Sequence, residues 1–184
     1  FLTSLQKRQK VDPGFNAQGV LAGDVHYAGQ DFRKNQQRQA TFVSSVVGQL
    51  AAQPGVRAAA AVAPLPFNPD EGGSCSFGII GRPLAPNDPG PHSQLTLATP
   101  EYLRAMQIPL LAGRWFNGSD IASSEHVAVI DQRLAKKYWP GESPLGQHIS
   151  FQCGDRASPA VIVGVVGTVR LSSLEEDTSD GMRY

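Results

Sequence analysis

Apolar positions along this chain follow two periods. Between residues 31 and 53 they fall at helical spacing: Val43, Val46, Val47 and Leu50 lie on one stripe that Phe32 continues, and the run 33–39 supplies a wet face of basic and amide side chains. This predicts a long helix stopped by Pro54-Gly55. Elsewhere the period is two. Over residues 20–27, Leu21, Gly23, Val25 and Tyr27 share one side and Asp24 and His26 the other, which predicts a strand. Shorter strands are expected at 56–63, 75–80, 93–98, 127–130 and from 147 to 151. The run 160–169, AVIVGVVGTV, is apolar on both faces and predicts a central strand. Its Gly164 and Gly167 lack GxGxxG spacing and open no helix, so they are expected to permit close packing or a bulge.

Residues 96–146 carry stop signals at nearly every boundary. Thr99, Pro100 and Glu101 are suited to open a short helix, with Thr99 as its cap and Tyr102, Leu103 and Met106 facing inward. Ile108-Pro109 ends it. Asp131 is expected to cap a second helix with Leu134, Ala135 and Tyr138 inside and Arg133, Lys136 and Lys137 outside, and residues 139–146 make two successive turns. Strand, helix and strand over residues 20–63 read as a βαβ-like unit, and the whole as an α+β domain.

Composition narrows the class. Of 184 residues, 41% are apolar and 17% charged, which excludes a disordered chain or a coiled coil. Sixteen basic residues balance sixteen acidic ones, so nothing points to nucleic acid. No apolar run approaches the roughly 20 residues that span a bilayer. The chain begins on Phe1, and residues 1–10 read as a linker from something upstream. Residues 67–73 and 85–91 read as loops, and 172–180 as an acidic loop or tail.

Candidate chemistry is sparse. Cys75 and Cys153 form no metal-ligand pattern. They read either as a disulfide, in an oxidising compartment, or as two half-buried thiols. Arg114, in the Gly-Arg-Trp-Phe turn, reads either as a holder of an anionic ligand stacked on Trp115 or as the structural partner of Asp120. His26 and His148 read as solvated strand residues. A hydrolase would draw on His126 with Asp120, Ser123, Ser124 or Glu125, but such a loop lacks a rigid orienting group, so no catalytic residue is assigned. No metal and no cofactor are implied.

A set of segments, in order along the chain, resembles the MacB-like periplasmic core domain of FtsX-like ABC-type permeases, in particular the duplicated orphan permeases. They are Asp12-Pro-Gly-Phe15, Gln53-Pro-Gly-Val56, Pro64-Leu-Pro66, Ile80-Gly-Arg-Pro83, Thr99-Pro-Glu-Tyr102 with Gln107-Ile-Pro-Leu110, Ala112-Gly-Arg-Trp-Phe116, Val127-Ala-Val-Ile130, Tyr138-Trp-Pro-Gly-Glu-Ser-Pro-Leu-Gly146 and Val163-Gly-Val-Val-Gly-Thr-Val-Arg170. The resemblance implies a periplasmic domain inserted between the transmembrane helices of a bacterial inner-membrane permease, working with a cytoplasmic ATPase and a periplasmic partner. It implies two lobes: a first lobe of residues 11–66 and 160–184, cut short at its C-terminal end, and a second of residues 67–159. The function expected is non-catalytic transmission of motion. The alternative is a small-molecule or peptide binding module with an apolar pocket between the lobes.

Overall fold

The computed structural model describes residues 12–25, 35–68, 73–83, 90–120, 125–153, 156–170 and 182–183. In chain order the described elements are α1 (Gln36–Ala51), β1 (Val62–Ala63), β2 (Gly73–Ile79), β3 (His92–Leu95), β4 (Leu97–Ala98), α2 (Tyr102–Met106), β5 (Leu110–Gly113), β6 (Val127–Asp131), α3 (Gln132–Tyr138), β7 (His148–Cys153), β8 (Arg156–Val166) and β9 (Met182–Arg183). The fold is α+β.

β8 organises the sheet. Its N-terminal half pairs antiparallel with β7, from Cys153 opposite Arg156 to His148 opposite Val161. Its C-terminal half pairs antiparallel with β5, and its other side carries β6 in parallel from Val127–Val161 to Asp131–Val166. The full order is β5-β8-β6-β9-β3-β2-β7, and β7 returns to β8, so the ladder closes on itself. A separate two-stranded pair joins β1 to β4. β8, expected from the sequence in the first lobe, is thus bonded on both sides to strands drawn from residues 110–153.

Because side chains alternate along a strand, β6 and β8 feed a core on each face. Val129 and Val166 join Tyr102, Leu103, Met106, Ile108 and Val169 in the first core. Ala128, Ile130, Ile162 and Val165 join Phe77, Leu134, Trp139, Ile149 and Ala160 in the second. The expectation of a strand apolar on both faces is met. The ladder slips by one residue opposite Ala128 and Val129, where β8 bulges at Val163. Gly164 follows the bulge, and a Cβ built on it would lie 2.1 Å from the Arg114 carbonyl oxygen.

Several elements depart from the sequence reading. Residues 20–25 form no strand, because no described strand pairs with them, and Leu21 is 98% exposed. Residues 56–61 are likewise outside the ladder, leaving only β1 of the strand expected at 56–63. α1 starts at Gln36, where the Asn35 side chain caps it by accepting from the Arg38 amide. Thr99 does not cap α2: its hydroxyl oxygen accepts from the Ala61 amide instead, tying α2's entry to the start of β1. Asp131 caps α3 as expected, accepting from the Leu134 amide at 2.8 Å. β5 is a strand over residues to which the sequence reading gave no element apart from Gly113, which it placed in a turn, and β8 begins four residues before Ala160.

Candidate functional site

β5 delivers Arg114 to the surface, and the Arg114 amide donates to the Val163 carbonyl at 2.9 Å, which pins its backbone to the bulge of β8. Six residues on, Asp120 is presented by a tight turn. The Ser119 amide donates to the Asn117 side chain, the Asp120 amide to the Asn117 carbonyl, and the Asn117 amide to Asp120 Oδ2. Arg114 then meets Asp120 in a forked pair, Nη1 to Oδ2 at 2.7 Å and Nη2 to Oδ1 at 2.8 Å. The hydrogen bond from Arg114 holds the Asp120 carboxyl below the usual carboxylate range, and the same bond raises Arg114 further. Asp120 takes the Nη1/Nη2 edge of the guanidinium, and Nη1 also donates to the Trp115 carbonyl at 3.2 Å. The neighbouring Trp115 and Phe116 rings, 4.4 Å apart, are half-buried against the first core.

Cys75 is disulfide-bonded, and no free cysteine occurs among the described residues. The chain has one other cysteine, Cys153 at the end of β7. The β2–β7 register runs from Ile79–Ile149 to Ser76–Gln152, and one further step sets Cys75 opposite Cys153.

Of the residues considered for a hydrolase, Ser123 and Ser124 lie outside the described residues, and His126 stands just before β6 with its carbonyl accepting from the Val161 amide at 2.9 Å. His26, read as a strand residue, also lies outside the described residues. Asp120 is held by Arg114, and Glu125 faces His148 at 3.3 Å across exposed surface. Sequence reasoning passed over Arg82. Its Nη1 donates to the Tyr138 carbonyl at the end of α3 at 2.7 Å, its Nη2 pairs with Glu142 at 2.6 Å, and its guanidinium lies 6.0 Å from the centre of the Trp139 ring. Two of the family-like segments, Ile80-Gly-Arg-Pro83 and the turns after Tyr138, are therefore tied together. Their joint presence in the sequence was the only signal available. A cavity of about 460 Å³ beside α3 is lined by Gln132, Arg133, Lys136, Lys137 and Thr168.

Residues 9–182 match the model of the MacB-like periplasmic core domain. The chain belongs to that family. A macrolide export ATP-binding/permease protein, MacB, of Rhodospirillum rubrum is 30% identical over 82 residues, which cover 44% of this chain and 12% of that protein. Two solved structures are similar in fold. The periplasmic region of MacB from Actinobacillus actinomycetemcomitans matches with a TM-score of 0.48 and 20% identity, over 78% of this chain and 58% of that one. The extracellular domain of the noncanonic ABC-type transporter YknZ from Gram-positive bacteria matches with a TM-score of 0.48 and 18% identity, over 85% and 67%. The chain thus spans a small part of the curated relative and a little over half of the first of these structures.

Proposed function

We propose that the chain is an extracytoplasmic, non-catalytic domain of an ABC-type permease and that it transmits conformational change between membrane helices and a periplasmic partner or substrate. The family match over residues 9–182 carries this reading. Among the described residues no helix is long and apolar enough to cross a membrane. In this reading a cytoplasmic ATPase drives the helices, the domain moves as two lobes linked through β8, and Arg114–Asp120 is a structural ion pair. The Cys75–Cys153 bridge suits an oxidising periplasm.

The test uses the parent permease with spin labels at Ser44, on α1, and Gly118, in the loop before Asp120. A change in the label-to-label distance between ATP-bound and nucleotide-free states is expected. An identical distance distribution in both states overturns the transmission reading.

A further inference from the structure

The chain entering the domain is fastened at one short turn. Asp12 closes the turn by accepting from the Gly14 amide at 2.8 Å. The Pro13 carbonyl accepts from the Arg170 amide at 2.9 Å, four residues beyond the end of β8. The Asn16 amide donates to the Met106 carbonyl at 2.9 Å, and its side-chain amide reaches Gln107 Oε1 at 3.1 Å, at the left-handed residue that ends α2. Between them Phe15 packs against the first core and lies 5.9 Å from the Phe67 ring. Gly14 has φ +84°, and a Cβ there would lie 1.9 Å from the Thr168 carbonyl oxygen, so the turn seats backbone against backbone. Beyond it, residues 17–25 are exposed, and their described backbone bonding is local: the Val20 amide to the Ala17 carbonyl and the Gln18 amide to Asn16 Oδ1.

We propose that the Asp12–Asn16 turn is the mechanical anchor through which displacement of the preceding chain enters the domain, delivered to the end of β8 and the end of α2 together. The proposal rests on the transmission reading above and gives it a point of entry. A pull on the chain before Asp12 is borne by Pro13–Arg170 and by Asn16–Met106 and Asn16–Gln107. Val169 and Met106 lie in one core with Val166 and Val129, so that pull reaches β8 and β6 without passing through residues 17–61.

Two measurements test the anchor. In hydrogen exchange, the Asn16 and Arg170 amides of the unaltered chain are expected to be protected. Gly14→Ala is expected to cut that protection by at least about tenfold while the Ile162 and Leu134 amides keep theirs. Asn16→Ala, which adds no bulk, is expected to act in the same direction more weakly and covers the case in which Gly14→Ala does not fold. Free-peptide exchange at Asn16 and Arg170 in the unaltered chain, or undiminished protection in both variants, overturns the proposal. In single-molecule pulling between the N-terminus and a tag inserted at Gly118, the unaltered domain is expected to resist until its core opens. The Gly14→Ala domain is expected to show an earlier low-force step that releases the chain up to β1. That early step in the unaltered domain overturns the anchor. An anchor upheld by both measurements, in a parent permease whose Gly14→Ala form transports undiminished, overturns the transmission reading instead.

Discussion

Arg82 and Tyr138 stand 56 residues apart in sequence, and the guanidinium of the first donates to the carbonyl of the second at 2.7 Å. That carbonyl closes α3, whose last turn would otherwise leave it without an intrahelical donor. The same guanidinium pairs with Glu142 on the following turn, so one side chain both caps a helix and fixes the direction in which the chain leaves it.

Replacing Arg82 with alanine should therefore lower stability by about 1 kcal/mol, the modest value reflecting an exposed pair, and lower Tm by roughly 2–4 °C. Arg82→Lys should recover only part of this, because an ammonium cannot serve Tyr138 and Glu142 with one planar fork. Thermal unfolding of the two variants beside the parent sequence checks the order. Equal stability of all three would remove the tie from the account.

The Arg114–Asp120 pair gives a pH signature. The folded Asp120 carboxyl titrates below its unfolded value, so its contribution is present above the unfolded pKa near 4 and is lost as pH falls through the lower folded value. With Arg114 44% exposed at the side chain, solvent screening limits that contribution to about 0.5–1 kcal/mol. Asp120→Asn should be less stable than the parent at pH 7, and the gap should close on acidification below about pH 4. Denaturant midpoints at a series of pH values test this. A gap independent of pH would count against the ion pair.

The bridge from Cys75 to Cys153 would close a long loop. In the chain-entropy model such a closure stabilises by about 4–5 kcal/mol. Protein made in an oxidising compartment should lack free thiols by mass spectrometry under non-reducing conditions. Reduction, or the paired change of Cys75 and Cys153 to serine, should lower the denaturant midpoint by a corresponding amount. Two alkylatable thiols in the untreated protein would exclude the bridge.

Two glycines in strands make opposite forecasts. A Cβ on Gly164 meets the Arg114 backbone, which has little freedom to yield, so Gly164→Ala should cost at least about 2 kcal/mol. Gly78 in β2 has nothing within 4 Å and no positive φ, so Gly78→Ala should be neutral or stabilise by up to about 1 kcal/mol. Similar effects at the two sites would show that β5 and β8 do not approach as closely as described.

The sequence exposed those features whose cause is local. The run from Ala160 announced a central strand because it is apolar at both parities, and Asp131 announced its cap because the amide it serves is three residues away. Where the cause is distant, the reading missed. β5 is four exposed residues that are a strand only because β8 lies beside them. The central strand was expected from Ala160, yet pairing with β7 carries the ladder back through Pro159 to Arg156. Residues 20–25 have a strand's alternation and no partner among the described residues. The Thr99 hydroxyl had the right spacing for a cap and was claimed by Ala61. Arg114 and Asp120 were legible as a pair because six residues separate them, whereas Arg82 and Glu142 are sixty apart.

β8 supplies neighbouring residues to opposite cores, Ile162 and Val165 to one and Val166 to the other. Side chains that never touch therefore share one backbone, and a shift that relieves a cavity on one face displaces packing on the other. Substitutions at Ile162 and Val166 should consequently be non-additive in free energy, by about 0.5–3 kcal/mol in a double-mutant cycle. A coupling of that size would mark the two cores as one cooperative unit, joined through the strand between them.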